Sequence, residues 1–159
     1  MLLWCRWDAR QSWFRYHHLF ADLLQLELRR TAPREATALH RAAAGWFAEH
    51  KYPVDAVRHA QAARDWGLAA RLLADHWYGL QLDGQAATTH QLLAGFPAGT
   101  RTADAELAAL AAAEELAYGS LEAAERYLGL AERGMGSVPD ARRAQAHRPC
   151  FRWFAVVRA

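Results

Sequence analysis

Histidine is the side chain in this 159-residue sequence with the most chemical potential, since eight histidines occur and each can act as a base or bind a metal. His17 and His18 are adjacent, and neighbouring side chains on a β-strand point to opposite faces, so a strand here would keep the two rings from sharing a metal ion. His50 and His59 fall on different predicted helices, and no His-Glu-x-x-His spacing occurs. We therefore interpret the histidines as packed or solvated side chains and predict no metal site.

Paired carboxylates are the second candidate for catalysis. Glu114 and Glu115, like Asp104 and Glu106, lie on predicted helices, where solvated helix faces explain carboxylates without any catalytic role. The sequence contains no phosphate-binding loop, no Gly-x-Ser-x-Gly elbow and no dinucleotide fingerprint, and its single lysine is Lys51. We predict no catalytic residue, no cofactor and no enzymatic activity. A small helical enzyme with a histidine-based site is the alternative left open.

Charge and cysteine usage restrict the class of protein further. The 19 basic and 17 acidic residues give a net charge of +2, which argues against a dedicated nucleic-acid-binding domain with a concentrated basic face. Cys5 and Cys150 lie near opposite ends and form no disulfide framework, as expected of a reduced, cytoplasmic protein. No apolar run approaches the length of a membrane span, and the first residues do not form a signal peptide, so neither membrane insertion nor export is expected.

Aromatic side chains could also form a binding site. Trp46, Trp66 and Trp77 lie near the ends or on the inner faces of predicted helices. We favour core packing between helix hairpins, because large amphipathic rings commonly fill such positions. The alternative is an exposed aromatic groove that binds a ligand or a peptide.

Composition predicts the elements that must position these residues. The sequence is 53% hydrophobic and rich in alanine, the strongest helix former, whereas isoleucine is absent. We therefore predict an all-α chain with one short β-hairpin at its beginning, over residues 1–18. Its strands would be Leu2–Trp7 and Ser12–His17, joined by a polar turn at Asp8–Gln11.

Helical spacing of apolar residues, with proline and glycine breaks, predicts seven or eight helices joined by short turns. They are expected at about Leu19–Arg30, from Pro33 towards the Tyr52–Pro53 break, at Pro53–Arg64, from the Asp65 cap to Leu80, at Gln85–Ala94, Ala103–Tyr118 and Ser120–Gly134, and at Pro139–Ala146. Short connections favour antiparallel helix hairpins. A shared stripe of small residues in Asp55–Ala63 and Leu121–Leu128 is typical of a tetratricopeptide-like right-handed superhelix.

The last residues, 147–159, form an irregular basic and aromatic tail without helical spacing. Arg148 and Arg152 alternate with Phe151, Trp153 and Phe154. Basic and aromatic residues together can bind single-stranded nucleic acid. We favour an end produced by truncation or by an altered reading frame, because the helical pattern stops abruptly here.

Several blocks of sequence carry a family likeness. They are Trp13–Leu24, Leu39–Phe47, Ala56–Ala60, Asp65–Leu73 and, more loosely, Gly119–Ala124. Together they resemble the large ATP-dependent LuxR-family transcriptional regulators of the MalT type, over about residues 8–134. The first block is the specific one, since the alanine-rich remainder would be weak by itself.

The resemblance implies a domain organisation and a function. Residues 1–18 would be the terminal hairpin of a winged-helix-like domain, and residues 19–146 a tetratricopeptide-like sensor region that responds to a small-molecule inducer or a protein partner. The family's nucleotide and DNA sites have no matching positions here, so no cofactor and no direct DNA binding are expected of this chain. Self-association is expected if the hairpin exposes apolar surface. The alternative is a freestanding tetratricopeptide-like module that binds a protein or a peptide.

Overall fold

The computed structural model describes residues 4–6, 14–134 and 136, and most of them are helical. Two three-residue strands, β1 (Trp4–Arg6) and β2 (Phe14–Tyr16), pair in antiparallel fashion with Cys5 opposite Arg15. β2 ends at Tyr16, one residue before the predicted end of the second strand at His17. The predicted turn at Asp8–Gln11 lies outside the described residues.

Helices make up nearly all of the rest, as the all-α prediction requires. Over the described ranges they are α1 (His18–Thr31), α2 (Pro33–Glu49), α3 (Pro53–Ala62), α4 (Trp66–Leu82), α5 (Ala86–Ala94), α6 (Ala98–Ala103), α7 (Ala105–Ala117) and α8 (Leu121–Gly134). In this part of the chain, none of them is long and apolar enough to cross a membrane. The helix predicted at Pro139–Ala146 and the tail at 147–159 lie beyond the described residues.

Local sequence signals set most of the helix ends. Pro33 and Pro53 occupy the first turns of α2 and α3, where proline lacks only an N–H that would be unpaired anyway. The Asp65 side chain accepts a hydrogen bond from the Leu68 amide at 3.2 Å and caps α4, as predicted. Gly84 and Gly119 adopt φ values of 74° and 82°, the left-handed region in which glycine is least strained, and so end α4 and α7.

The predicted sixth helix, Ala103–Tyr118, is wrong at its beginning. A separate short helix, α6, follows Pro97, and α7 starts only at Ala105. Asp104 separates them with extended backbone, φ −94° and ψ 120°, and its side chain accepts from the Leu107 amide at 2.9 Å. The aspartate therefore begins a new helix at a point where apolar spacing alone indicated one continuous helix.

The core is centred on α7, which packs against α4, α5, α6 and α8. Leu107, Leu110 and Ala111 of α7 are buried together with Leu73 of α4 and Phe96 after α5. A second, smaller cluster joins α7 to α8. Alanine makes this arrangement possible, because its small side chain lets helix axes approach closely while longer side chains fill the remaining space.

The first two helices are the most exposed part of the array. α1 contains no buried residue, and Leu19, Leu23 and Leu26 are exposed along one face of it. On α2, Leu39 is 58% exposed, whereas Ala44 is completely buried. Ala44 lies in the core with Val57 and Ala60 of α3, whereas the side of α2 that carries Leu39 is exposed.

Candidate functional site

A cavity of about 180 Å³ lies between α5, α6, α7 and α8. Its lining combines apolar, aromatic and charged side chains. These are His90, Leu93, Ala94, Arg101, Ala111, Glu114, Glu115, Tyr118 and Tyr127. Because four helices contribute side chains to the lining, the shape of the cavity depends on their relative positions.

Glu114 is the most unusual residue of this cavity, since its side chain carries a carboxyl group and the residue is only 6% exposed. Gln81 Nε2 of α4 donates to Glu114 Oε1 at 3.1 Å, and Thr89 Oγ1 of α5 lies 3.2 Å from the same oxygen. Gln81 Nε2 also donates to Thr89 Oγ1 at 2.8 Å. The interpretation of Glu114 as a solvated surface residue is therefore wrong: it is the centre of a buried polar network that joins three helices.

His90 connects this network to the surface. Its Nδ1 lies 3.3 Å from Glu114 Oε2, and its side chain is 52% exposed. The imidazole also meets the ring of Tyr118 edge to face, with centroids 4.9 Å apart. His90 therefore links the buried carboxylate of Glu114 to the rim of the cavity.

Two further charged residues line the cavity without a partner in the described part of the chain. The Nε atom of Arg101 is buried and makes no hydrogen bond. Glu115, next to Glu114 in sequence, is half-buried and takes part in no ion pair among the described residues. The cavity lining therefore combines a buried Arg101 Nε–H that has no acceptor with a half-buried Glu115 that forms no ion pair among the described residues.

A second cluster, which sequence spacing did not reveal, joins α2 to α3. His40 Nδ1 and His59 Nδ1 are 2.9 Å apart, and Phe47 stacks on the His59 ring at 5.2 Å. Burial lowers the pKa of His59, the neighbouring His40 lowers it further, and Asp55 opposes both effects. The two histidines are 19 positions apart, so only the packing of the helices brings them together.

The remaining histidine candidates lie apart from the cavity. His17 precedes α1 and His18 begins it, and their rings are 4.3 Å apart, so the expectation that a strand would separate the two rings is wrong. His50 follows the last residue of α2 and stacks on Trp46 at 3.9 Å, while His59 lies on α3, as predicted. Within the described ranges, no group of three or more His, Cys, Asp or Glu residues could hold a metal ion.

The tryptophans follow the prediction of core packing in two cases of three. Trp66 and Trp77 of α4 are partly buried against the main core, and Trp66 lies 5.9 Å from the ring of Phe96. The Trp77 Nε1 atom is buried without a hydrogen-bond acceptor. Trp46 differs, because it is exposed and stacks on His50 at the surface, so core packing is the wrong interpretation for it.

Comparisons with known proteins find similarity to MalT-type transcriptional regulators. Residues 2–36, which include both strands, α1 and the start of α2, match the MalT winged helix domain. Over 108 residues the chain is 36% identical to the HTH-type transcriptional regulator MalT of Yersinia pestis and to that of Yersinia pseudotuberculosis. The matched segment is 67% of this chain and 12% of each relative. It is 45% identical over 60 residues to the serine/threonine-protein kinase PknK of Mycobacterium tuberculosis, covering 38% of this chain and 5% of the kinase. No solved structure matches.

Proposed function

We propose, from the premise that this chain corresponds to a segment of the MalT-type transcriptional regulators, that its helices are the sensing or interaction portion of such a regulator. Residues 1–18 would complete a winged-helix-like domain, and α1–α8 would begin a tetratricopeptide-like superhelix. DNA binding and nucleotide hydrolysis would belong to other parts of the regulator. The proposal assigns no catalysis to this chain and places it in the cytoplasm.

The cavity between α5 and α8 is the observation that carries this proposal. Its charged residues come from different helices, and its buried Glu114 is hydrogen-bonded to Gln81 of α4 and Thr89 of α5. A ligand in the cavity would favour one arrangement of these helices over another, which is the population shift that a sensor needs. The signal would be a small-molecule inducer or a protein partner.

Transcript levels test the proposal directly. In the source organism, Glu114→Gln would be introduced at the gene's own locus, because it removes the charge but keeps the shape of the buried side chain. The matched control is Glu49→Gln, which removes the same charge from the exposed last residue of α2. RNA sequencing should detect a defined set of genes that responds to Glu114→Gln and to disruption of the gene, but not to Glu49→Gln. No transcriptional change on disruption would contradict the proposal.

The surrounding coding sequence offers a second test. A phosphate-binding loop upstream and a helix-turn-helix downstream, in the same reading frame, would support a role as part of a regulator. The absence of both would favour the alternative, a freestanding tetratricopeptide-like module that binds a protein or a peptide.

A further inference from the structure

We infer that the cavity between α5 and α8 binds a small zwitterion of the amino-acid class, with Arg101 holding its carboxylate and Glu115 its ammonium group. This inference deepens the proposed sensing function and depends on that function only for the biological use of the ligand. The residues that line the cavity account for the binding itself.

The lining of the cavity carries two opposite charges that are not paired with each other. Arg101 and Glu115 face one cavity with opposite charges, yet they form no ion pair with each other or with any other described residue. Burying the Arg101 Nε–H without an acceptor costs free energy, and the half-buried Glu115 beside the same cavity has a carboxylate available for an ammonium group. A ligand that carries both an anionic and a cationic group would satisfy the two residues at once.

Ligands of a single charge fit less well. A simple anion would pair with Arg101 but would also meet the carboxylates of Glu114 and Glu115, which line the same cavity. A simple cation would leave the buried Arg101 Nε without an acceptor. Glu114 is already held by Gln81, Thr89 and His90, so Glu115 is the carboxylate that is free to bind an ammonium group.

Size and the remaining lining complete the assignment. At about 180 Å³ the cavity is smaller than the roughly 300–1,000 Å³ typical of pockets for drug-sized ligands, so the ligand must be a small metabolite. The rings of Tyr118 and Tyr127 can attract an ammonium group through cation–π interactions. Leu93, Ala94 and Ala111 provide an apolar wall for a short aliphatic side chain.

Calorimetric titration of the full chain tests the inference. The probes are glycine, L-alanine, L-serine, L-valine and L-leucine, each compared with its N-acetyl and its amide derivative. We expect saturable binding of at least one amino acid, and binding about tenfold or more weaker for both of its derivatives, because each derivative lacks one charge. No binding of any of the five at millimolar concentration, or equal binding of the derivatives, would overturn the inference.

Variants locate the binding site. Arg101→Gln and Glu115→Gln should each weaken binding about tenfold or more, whereas the exposed residues changed in Arg58→Gln and Glu49→Gln should have no effect. Circular dichroism would establish that each variant is folded. If Arg101→Gln is unfolded, Arg101→Lys replaces it, since lysine keeps the charge but lacks the buried Nε donor. Unchanged binding in folded variants at both positions would overturn the assignment.

The two proposals fail separately. If an amino acid binds but gene disruption changes no transcript, the sensing function is wrong and the binding site stands. If Glu114→Gln changes transcription but none of the five amino acids binds, the ligand class is wrong and the sensing function stands.

Discussion

At the scale of single residues, Glu114 and Glu115 differ more than their adjacency indicates. Successive helix positions are rotated by about 100°, so only Glu114 reaches the polar network, although both residues line the cavity. Gln81 and Thr89, which hold Glu114, are 33 and 25 positions away. No local pattern contains that information, which is why the sequence predicted a solvated pair.

Removing the Glu114 side chain should therefore destabilise the protein. We expect Glu114→Ala to lower the free energy of unfolding by about 2 kcal/mol, since Gln81 loses an acceptor and a void opens beside Thr89. Glu115→Ala, which removes an unpaired neighbour, should change it by less than about 0.5 kcal/mol. Urea denaturation measures both. Equal effects of the two substitutions would show that the network contributes nothing to stability.

His59 makes stability depend on pH. Its pKa is lowered in the folded protein by burial and by His40, so the unfolded chain binds the proton more readily. Stability is therefore fully present above the unfolded pKa of about 6.5 and is lost as the pH falls through the folded pKa.

We expect the free energy of unfolding to be lower at pH 5 than at pH 7.5, and His59→Gln to reduce that difference. The exposed His18 provides the control, since His18→Gln should leave the difference unchanged. Urea denaturation at the two pH values gives the comparison. If the difference in unfolding free energy between pH 5 and pH 7.5 is the same in His59→Gln as in the original protein, other groups cause the pH dependence.

At the scale of the elements, capping residues decide where this chain is divided into helices. The prediction from sequence found α2, α3, α5 and α8 within a few residues because proline, glycine and aspartate mark their ends. It missed α6 because glycine residues around Pro97 were interpreted as a loop. α3 ends at Ala62, two residues before the predicted end, and Arg64 then adopts a positive φ of 55°.

The cap at Asp104 is open to a direct test. Asp104→Ala should lower the free energy of unfolding by about 1 kcal/mol, because the Leu107 amide loses its acceptor at the start of α7. Asp104→Asn, whose amide oxygen can accept the same hydrogen bond, should recover most of the loss. Thermal or urea denaturation distinguishes them, and identical stabilities for the two variants would rule out a capping role.

The exposed face of α1 bears on the expected self-association. Leu19, Leu23 and Leu26 recur at intervals of four and three and lie on one side of the helix, so a second copy of the chain can cover them. We expect analytical ultracentrifugation to detect dimers whose fraction rises with protein concentration. Leu23→Glu should reduce that fraction. Leu82→Glu, at an equally exposed leucine on α4, is the control and should have no effect. The same sedimentation profile for both variants would contradict a role for α1.

At the scale of the whole molecule, composition was sufficient for the fold class but not for the site. Abundant alanine and the absence of isoleucine indicated helices, and helices dominate the described residues. The cavity, in contrast, depends on α6 and α7 being separate and on contacts between distant positions such as Gln81 and Glu114. Such contacts arise from packing, so residue spacing could not reveal which charged side chains meet.

The core around α7 should make folding cooperative. We expect a strong helical signal in circular dichroism and a single sharp melting transition, because α7 is buried among four other helices. A weak signal with a broad transition would mean that these helices do not form an independent unit.

The most direct test of the proposed ligand-sensing cavity is an NMR titration of the ¹⁵N-labelled full chain with a mixture of the twenty common L-amino acids. We predict saturable chemical-shift changes of the backbone amides around the cavity, centred on His90, Arg101, Glu115, Tyr118 and Tyr127. An unchanged spectrum, or changes confined to α1 and α2, would contradict it.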